Sequence, residues 1–193
     1  GGKWFGGPVA FGHRRLSIVD PTPVSDQPMV DPQSGNVILF NGEIYNFVEL
    51  RDELKALGVH FSTKGDTEVI LKAYQVWGLD ECLKRLCGMF AFALWDQSLQ
   101  MLFICRDRLG KKPLFYCDLP QASGGGVVFA SEPQAILAHP LISHRTNAAA
   151  FRKFLILGYS TGEETLSQGV KRLPPGHIMS VSAHGEIRLQ SYY

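Results

Sequence analysis

Apolar and polar positions divide the chain into short strands and a few amphipathic helices. Val37 to Phe40 is an apolar run that stops at Asn41-Gly42-Glu43 and resumes at Ile44-Tyr45. Residues 8–19 read as one strand, or two broken at Gly12, and residues 21–35, rich in Pro, Asp, Ser and Gln, as a loop. Residues 48–57 have helical spacing, with Val48, Leu50, Leu54 and Leu57 largely on one side and Gly58 as the stop. Residues 60–63 read as a short strand. Asp66 opens a second helix whose Val69, Ile70, Ala73, Tyr74 and Trp77 share a face; Gly78 ends it, and residues 79–86 form another short helix.

Residues 88–96 and 100–105 are apolar almost continuously, as expected for strands covered on both faces. Residues 113–117 with 126–130, and 177–182 with 186–189, give two more strand pairs. Residues 132–138 and 148–157 are helical, the second ended by Gly158. Strands dominate and helices fall between sets of them. The expected class is α+β: a layered domain with two packed sheets and helices outside.

Composition narrows the partners. The 193 residues fit one large domain, and 45% hydrophobic content supplies an ordinary core. Nineteen basic and eighteen acidic residues leave a formal charge of +1, which gives no support for nucleic acid or an anionic membrane as partner. No apolar run reaches the length of a membrane span. The four cysteines form no Cys-x-x-Cys and the six histidines no His-Glu-x-x-His, so no zinc or other metal site is expected. Reduced, mostly buried thiols of a cytoplasmic protein are the default reading, with core packing favoured over a nucleophilic role.

Asn41-Gly42 admits two readings. Between β-prone runs, Asn-Gly is a strong hairpin signal. Alternatively, the asparagine amide and the glycine N–H are adjacent donors that can converge on a developing oxyanion, with Glu43 beside them free to hold a cation. Asp66 reads as a helix N-cap worth about 1 kcal/mol, a role that leaves room for a second one at the helix mouth. Arg14 and Arg15 read either as a solvated strand edge or, since Leu16, Ile18 and Val19 require a core face, as a pair of which one is directed into a cleft. Ser123-Gly124-Gly125-Gly126 lacks the strand-loop-helix context of a phosphate loop. The turn 106–113 is basic, with charges expected to be solvated or paired.

Taken in order, Gly12-His13-Arg14-Arg15-Leu16-Ser17-Ile18-Val19-Asp20, Gln27-Pro28-Met29, Phe40-Asn41-Gly42-Glu43-Ile44-Tyr45-Asn46, Gly65-Asp66-Thr67-Glu68, Gly88-Met89-Phe90-Ala91-Phe92-Ala93, Arg106-Asp107-Arg108-Leu109-Gly110-Lys111-Lys112-Pro113-Leu114, Phe129-Ala130-Ser131-Glu132 and Leu173-Pro174-Pro175-Gly176-His177 resemble the class II glutamine amidotransferase domain of glutamine-hydrolysing asparagine synthetases. The resemblance runs over nearly the whole chain. It implies an N-terminal-nucleophile hydrolase fold, a four-layer sandwich of two antiparallel sheets between helical layers. It also implies that residues 1–193 form the glutaminase domain, without its N-terminal segment and the synthetase domain that follows.

The same resemblance implies the site. Arg15 matches the arginine that pairs with the α-carboxylate of glutamine, and Leu16, Ser17, Ile18 and Val19 the adjoining strand that binds substrate through its backbone. Asn41 and Gly42 match the oxyanion donors, and Glu43 and Asp66 the carboxylates around the α-ammonium. The family nucleophile is a cysteine at the mature N-terminus whose α-amino group is the general base. Residue 1 here is Gly1 and none of the four cysteines matches that position. The expectation is a chain entered in the middle, with a non-catalytic glutamine-binding module as the alternative. Expected partners are L-glutamine and a C-terminal synthetase domain of the same polypeptide, and a homodimer is compatible. No cofactor is expected for this domain, with ATP and Mg²⁺ belonging to the synthetase domain. Relatives that amidate other carboxylates share these motifs, and an acylase or protease of the same fold is disfavoured by the amino-acid pocket.

Overall fold

A computed structural model describes residues 1–14, 19–20 and 22–193, with Ser123 as backbone alone. The elements run β1 (Gly2–Gly6), β2 (Val9–His13), β3 (Met29–Val30), β4 (Val37–Ile44), α1 (Phe47–Ala56), α2 (Asp66–Arg85), β5 (Gly88–Asp96), β6 (Met101–Arg106), β7 (Phe115–Asp118), β8 (Val127–Ala130), α3 (Pro133–Leu137), α4 (Ala148–Leu157), β9 (Lys171–Arg172), β10 (His177–Ser182) and β11 (Ile187–Ser191). Among the described residues, six strands form one antiparallel sheet in the order β11-β10-β6-β5-β4-β3. β8-β7-β9 and the β1-β2 hairpin form two smaller antiparallel sheets.

The central strand β5 shows how the layers arise. Its side chains alternate between faces, and both faces are apolar. Phe90, Phe92 and Leu94 pack with Leu50 and Leu54 of α1 and Val69, Ile70, Ala73 and Tyr74 of α2. Ala91, Ala93 and Trp95 pack the other way, with Phe11 of β2, Tyr116 of β7 and the nearby Leu114. Outside the second layer, Ile136 of α3 joins Ile142, Cys117 and Val170 in a third cluster. The order is helices, six-stranded sheet, smaller sheets, helix. The six-stranded sheet and the β8-β7-β9 sheet are thus each covered on both faces, as the unbroken apolar runs of β5 and β6 predict for the larger one.

Several local readings change. Asn41-Gly42 is not a hairpin turn: β4 continues through both, with Asn41 opposite Ala91 and Gly42 opposite Phe90. Residues 60–63 are not a strand, because the Ser62 and Thr63 N–H groups donate to the Glu68 carboxylate at 2.8 and 2.6 Å instead of to a ladder. In α1 only Leu50 and Leu54 are buried, and Val48 and Leu57 are exposed. Phe47 takes the third place on the packed face. The 66–85 helix is bent at Gly78, whose φ of 75° lies outside the helical range, so the two expected helices meet there. The short strands β3 and β9 and the glycine-rich β1 carry too little apolar pattern to be read locally.

Candidate active site

The exposed edge of β4 carries the corner. Successive residues of a strand direct their N–H and C=O groups to opposite edges. Asn41 and Glu43 pair with β5, so Phe40, Gly42 and Ile44 face outward. Beyond the two residues of β3, side chains replace a neighbouring strand. The buried Gln27 amide accepts from Phe40 N–H at 2.6 Å and donates to the Phe40 carbonyl at 3.0 Å. The Asp66 carboxylate accepts from Ile44 N–H at 3.1 Å. The Gly42 N–H lies between these two, turned toward the open side.

Side-chain alternation brings Asn41 and Glu43 to one face, the one shared with Val37 and Leu39 between the sheets. There they meet a cavity of about 930 Å³, within the range of small-molecule sites, between β2, β4, β8 and the start of α2. Its wall includes Val19, Asn41, Gly42, Glu43 and Asp66, five of the residues expected at the site. Arg15, Leu16, Ser17 and Ile18 lie outside the described residues. The Asn41 amide donates to Ser131 Oγ at 3.4 Å, which ties the corner to the end of β8.

Gly42 is required by crowding. A Cβ there would lie 2.1 Å from the Met89 carbonyl oxygen and 2.8 Å from Phe90 Cα, both fixed backbone of β5. Gly88 is packed the same way against Glu43 and Ile44, so the two glycines let β4 and β5 approach closely beside the corner.

Asp66 is the first residue of α2, and the N-cap is Gly65, without a capping side chain. The N-cap expectation for Asp66 is therefore displaced by one residue. The residue is 5% exposed. Burial holds its pKa above the usual carboxylate range; the N–H groups of Ile44, Asp66 and Thr67 oppose that shift, and the negative charge of Glu43 adds to it. Two neighbouring carboxylates at one end of a cavity, two neutral donors beside them, and Arg14 on the same wall make a site suited to a cationic group near a polarised carbonyl.

Further polar contacts, unread in the sequence, fix the mouth of α2. Arg51 of α1 donates to the carbonyls of Thr63 and Gly65 at 2.6 and 2.7 Å. Glu68, three residues after the cap, reaches back to Ser62 and Thr63. Asp20 accepts from the Thr22 hydroxyl at 2.5 Å, the Ser25 hydroxyl at 2.7 Å and Lys64 N–H at 2.8 Å, bonds that hold its pKa well below the usual carboxylate range. Asp20 thereby links Thr22 and Ser25 to the turn that leads into α2.

The basic turn departs from expectation at its first two residues, while Lys111 is exposed as expected. Arg106 and Asp107 are buried rather than solvated. The Arg106 guanidinium donates to the carbonyls of Lys112, Leu173 and Gly110, and Asp107 accepts from the N–H groups of Phe90, Leu109, Lys111 and Lys112. The turn is a brace for β5 next to Gly42.

None of the four cysteines lines the cavity. Cys82, Cys105 and Cys117 are buried, and burial pushes the Cys82 thiol up to about 12 and raises the other two. All three are poor nucleophiles there. Cys87 is exposed, away from the cavity. Among the described residues no group of three or more His, Cys, Asp or Glu side chains is placed to hold a metal ion, and no helix is long and apolar enough to cross a membrane.

A family model described as a glutamine amidotransferase domain matches residues 1–193. Asparagine synthetase [glutamine-hydrolyzing] 3 of Bacillus subtilis (strain 168) is 41% identical over 180 residues, covering 92% of this chain and 28% of that protein. A putative asparagine synthetase [glutamine-hydrolyzing] of Mycobacterium tuberculosis (strain ATCC 25618 / H37Rv) is 43% identical over 189 residues, with the same coverages of 92% and 28%. The chain thus spans little more than a quarter of the length of these relatives. Among solved structures, the glutamine phosphoribosylpyrophosphate amidotransferase from B. subtilis superposes with a TM-score of 0.64 at 20% identity, over 95% of this chain and 35% of that one. That likeness shows the fold, the N-terminal-nucleophile hydrolase sandwich implied by the motifs.

Proposed function

Because the chain belongs to the glutamine amidotransferase domain family, we propose that its cavity binds L-glutamine and serves hydrolysis of the side-chain amide to glutamate and ammonia. The observation that carries this reading is the corner itself, with the Asn41 amide and the outward Gly42 N–H on a cavity that also holds Glu43 and Asp66. Attack on the amide carbon places negative charge on its oxygen, and two preorganised neutral donors stabilise that charge more than they stabilise the ground-state carbonyl. The carboxylates receive the α-ammonium, and Arg15 is the partner for the α-carboxylate. Collapse of the tetrahedral species breaks the C–N bond, and the nitrogen leaves as ammonia with the proton given up by the attacking group. The resulting acyl intermediate is then hydrolysed to glutamate.

The ammonia is destined for an ATP-dependent amidation carried out by the rest of a longer polypeptide. The names of the relatives favour aspartate as acceptor, giving asparagine. The attacking group is not among the four cysteines of this chain, so the residues at hand supply binding, orientation and charge stabilisation.

The test is ammonia release from glutamine by the native polypeptide. Asn41→Ala should lower kcat by about 10²–10³-fold, the usual cost of one oxyanion donor. Turnover equal to the parent refutes the assignment. A second reading is a glutamine-binding module without hydrolysis; bound glutamine with no ammonia release from the native polypeptide would establish it.

A further inference from the structure

The outward edge of β4 changes its cover along its length, and one side chain sets where the cover stops. Met29 of β3 pairs with Ile38, and that register, carried further along both strands, would set Gln27 opposite Phe40 and Ser25 opposite Gly42. A strand continued that far would bond the Gly42 N–H into the ladder. The chain takes another course: β3 begins at Met29, and Pro23–Ser25 form a 3₁₀ turn.

At Phe40 a side chain stands in for the missing backbone. Gln27, 4% exposed, accepts from Phe40 N–H at 2.6 Å and donates to the Phe40 carbonyl at 3.0 Å, the two bonds a strand neighbour would make. Its Nε2 also donates to Thr67 Oγ1 at 3.4 Å, next to Asp66 in the first turn of α2. Both amide hydrogens and the amide oxygen are thus engaged by the protein. A carboxylate could not donate to the carbonyl, an ammonium could not accept from the N–H, and a flipped amide would set donor against donor.

We infer that Gln27 is a positioning residue for amide hydrolysis: it ends the ladder one step short of Gly42 and holds β4 in line, so that the Gly42 N–H stays open to the cavity and aimed at the developing oxyanion. This rests on the reading of the cavity as a glutaminase site. Asp66 bounds the other side through Ile44 N–H, so Gly42 is fixed between two side-chain clamps. Such fixing is what gives an oxyanion donor its value, because a preorganised dipole does not have to reorient as charge develops.

The test is Gln27→Met in the native polypeptide, with the binding of two ligands measured by calorimetry. L-Glutamate reports the pocket. The γ-aldehyde analogue of glutamine reports the corner as well: the attacking group adds to its carbonyl carbon, and the C=O electron pair passes to the oxygen that the donors receive. The parent should bind the aldehyde more tightly than glutamate. Gln27→Met should weaken the aldehyde about tenfold or more, a part of the 10²–10³-fold that a lost oxyanion donor costs, while glutamate binding changes less than about twofold. In turnover, kcat should fall with the aldehyde affinity while KM holds. A merely structural side chain would lower Tm without that split. Equal weakening of both ligands, or of neither, overturns the inference. If that variant does not fold, Gln27→Asn, one methylene too short to hold both Phe40 groups, should show the same selective loss. A parent that binds neither ligand, or binds the aldehyde no more tightly than glutamate, refutes the glutaminase reading itself and this inference with it.

Discussion

Replacing Asp66 by asparagine separates what this carboxylate does for a ligand from what it costs the fold. The amide is isosteric and can still accept from Ile44 N–H, now 3.1 Å from a carboxylate oxygen, so the edge of β4 stays closed. Only the charge is lost. Two unit charges about 4 Å apart at an effective dielectric near 20 attract by about 4 kcal/mol, and Glu43 remains to recover part of it. The net loss should be that of one charge-assisted hydrogen bond, about 1.5–3 kcal/mol, which weakens glutamine binding about 10–100-fold. The ammonium is remote from the amide being cleaved, so kcat should change little.

Stability should move the other way. The folded pKa of Asp66 is raised by burial, so the native state holds this proton more tightly than the unfolded chain does. That contribution is present below the unfolded value, near 3.9, and is lost as pH rises through the higher folded value. At neutral pH the buried charge opposes folding and asparagine relieves it. Steady-state kinetics and thermal unfolding at pH 7 should therefore show KM rising while Tm holds or rises. In the parent, KM should also rise as pH falls through the raised Asp66 pKa, and the variant should lack that limb. An unchanged KM, or a hundredfold loss confined to kcat, would refute the assignment of Asp66 to the ammonium.

Two further substitutions test the frame around the corner. Gly42→Ala drives a methyl group to 2.1 Å from the Met89 carbonyl oxygen, against backbone that cannot rotate away, and should cost about 3 kcal/mol or more in urea unfolding. A variant as stable as the parent would show that β4 and β5 are not so close. Asp107→Ala strands the N–H groups of Phe90, Leu109, Lys111 and Lys112 in a buried turn, for a loss of about 3 kcal/mol or more by the same measurement. Parity with the parent would mean that water replaces the carboxylate there.

What the sequence reveals and what it hides follow from the range of the forces involved. The layers are legible because alternation is local: Phe90, Phe92 and Leu94 against Ala91, Ala93 and Trp95 already declare two covered faces. The corner is legible only in part. In isolation Asn41-Gly42 favours a turn, but its conformation is decided by Phe90 and Ala91, about fifty residues away, and distant pairing overrides the local preference. The scaffold of the site is least legible. Gln27, Arg51, Arg106 and Asp107 are satisfied mainly by backbone carbonyls and N–H groups, which every residue possesses. No complementary residue type marks the partner, so a buried Arg106 looks in sequence like any surface arginine. Asp66 was legible through its motif, yet its raised pKa was not, because that depends on its depth beneath the edge of β4 and on the charge of Glu43 beside it. Residue types thus indicate what chemistry a corner can perform, while the backbone around it determines at what pH it performs it.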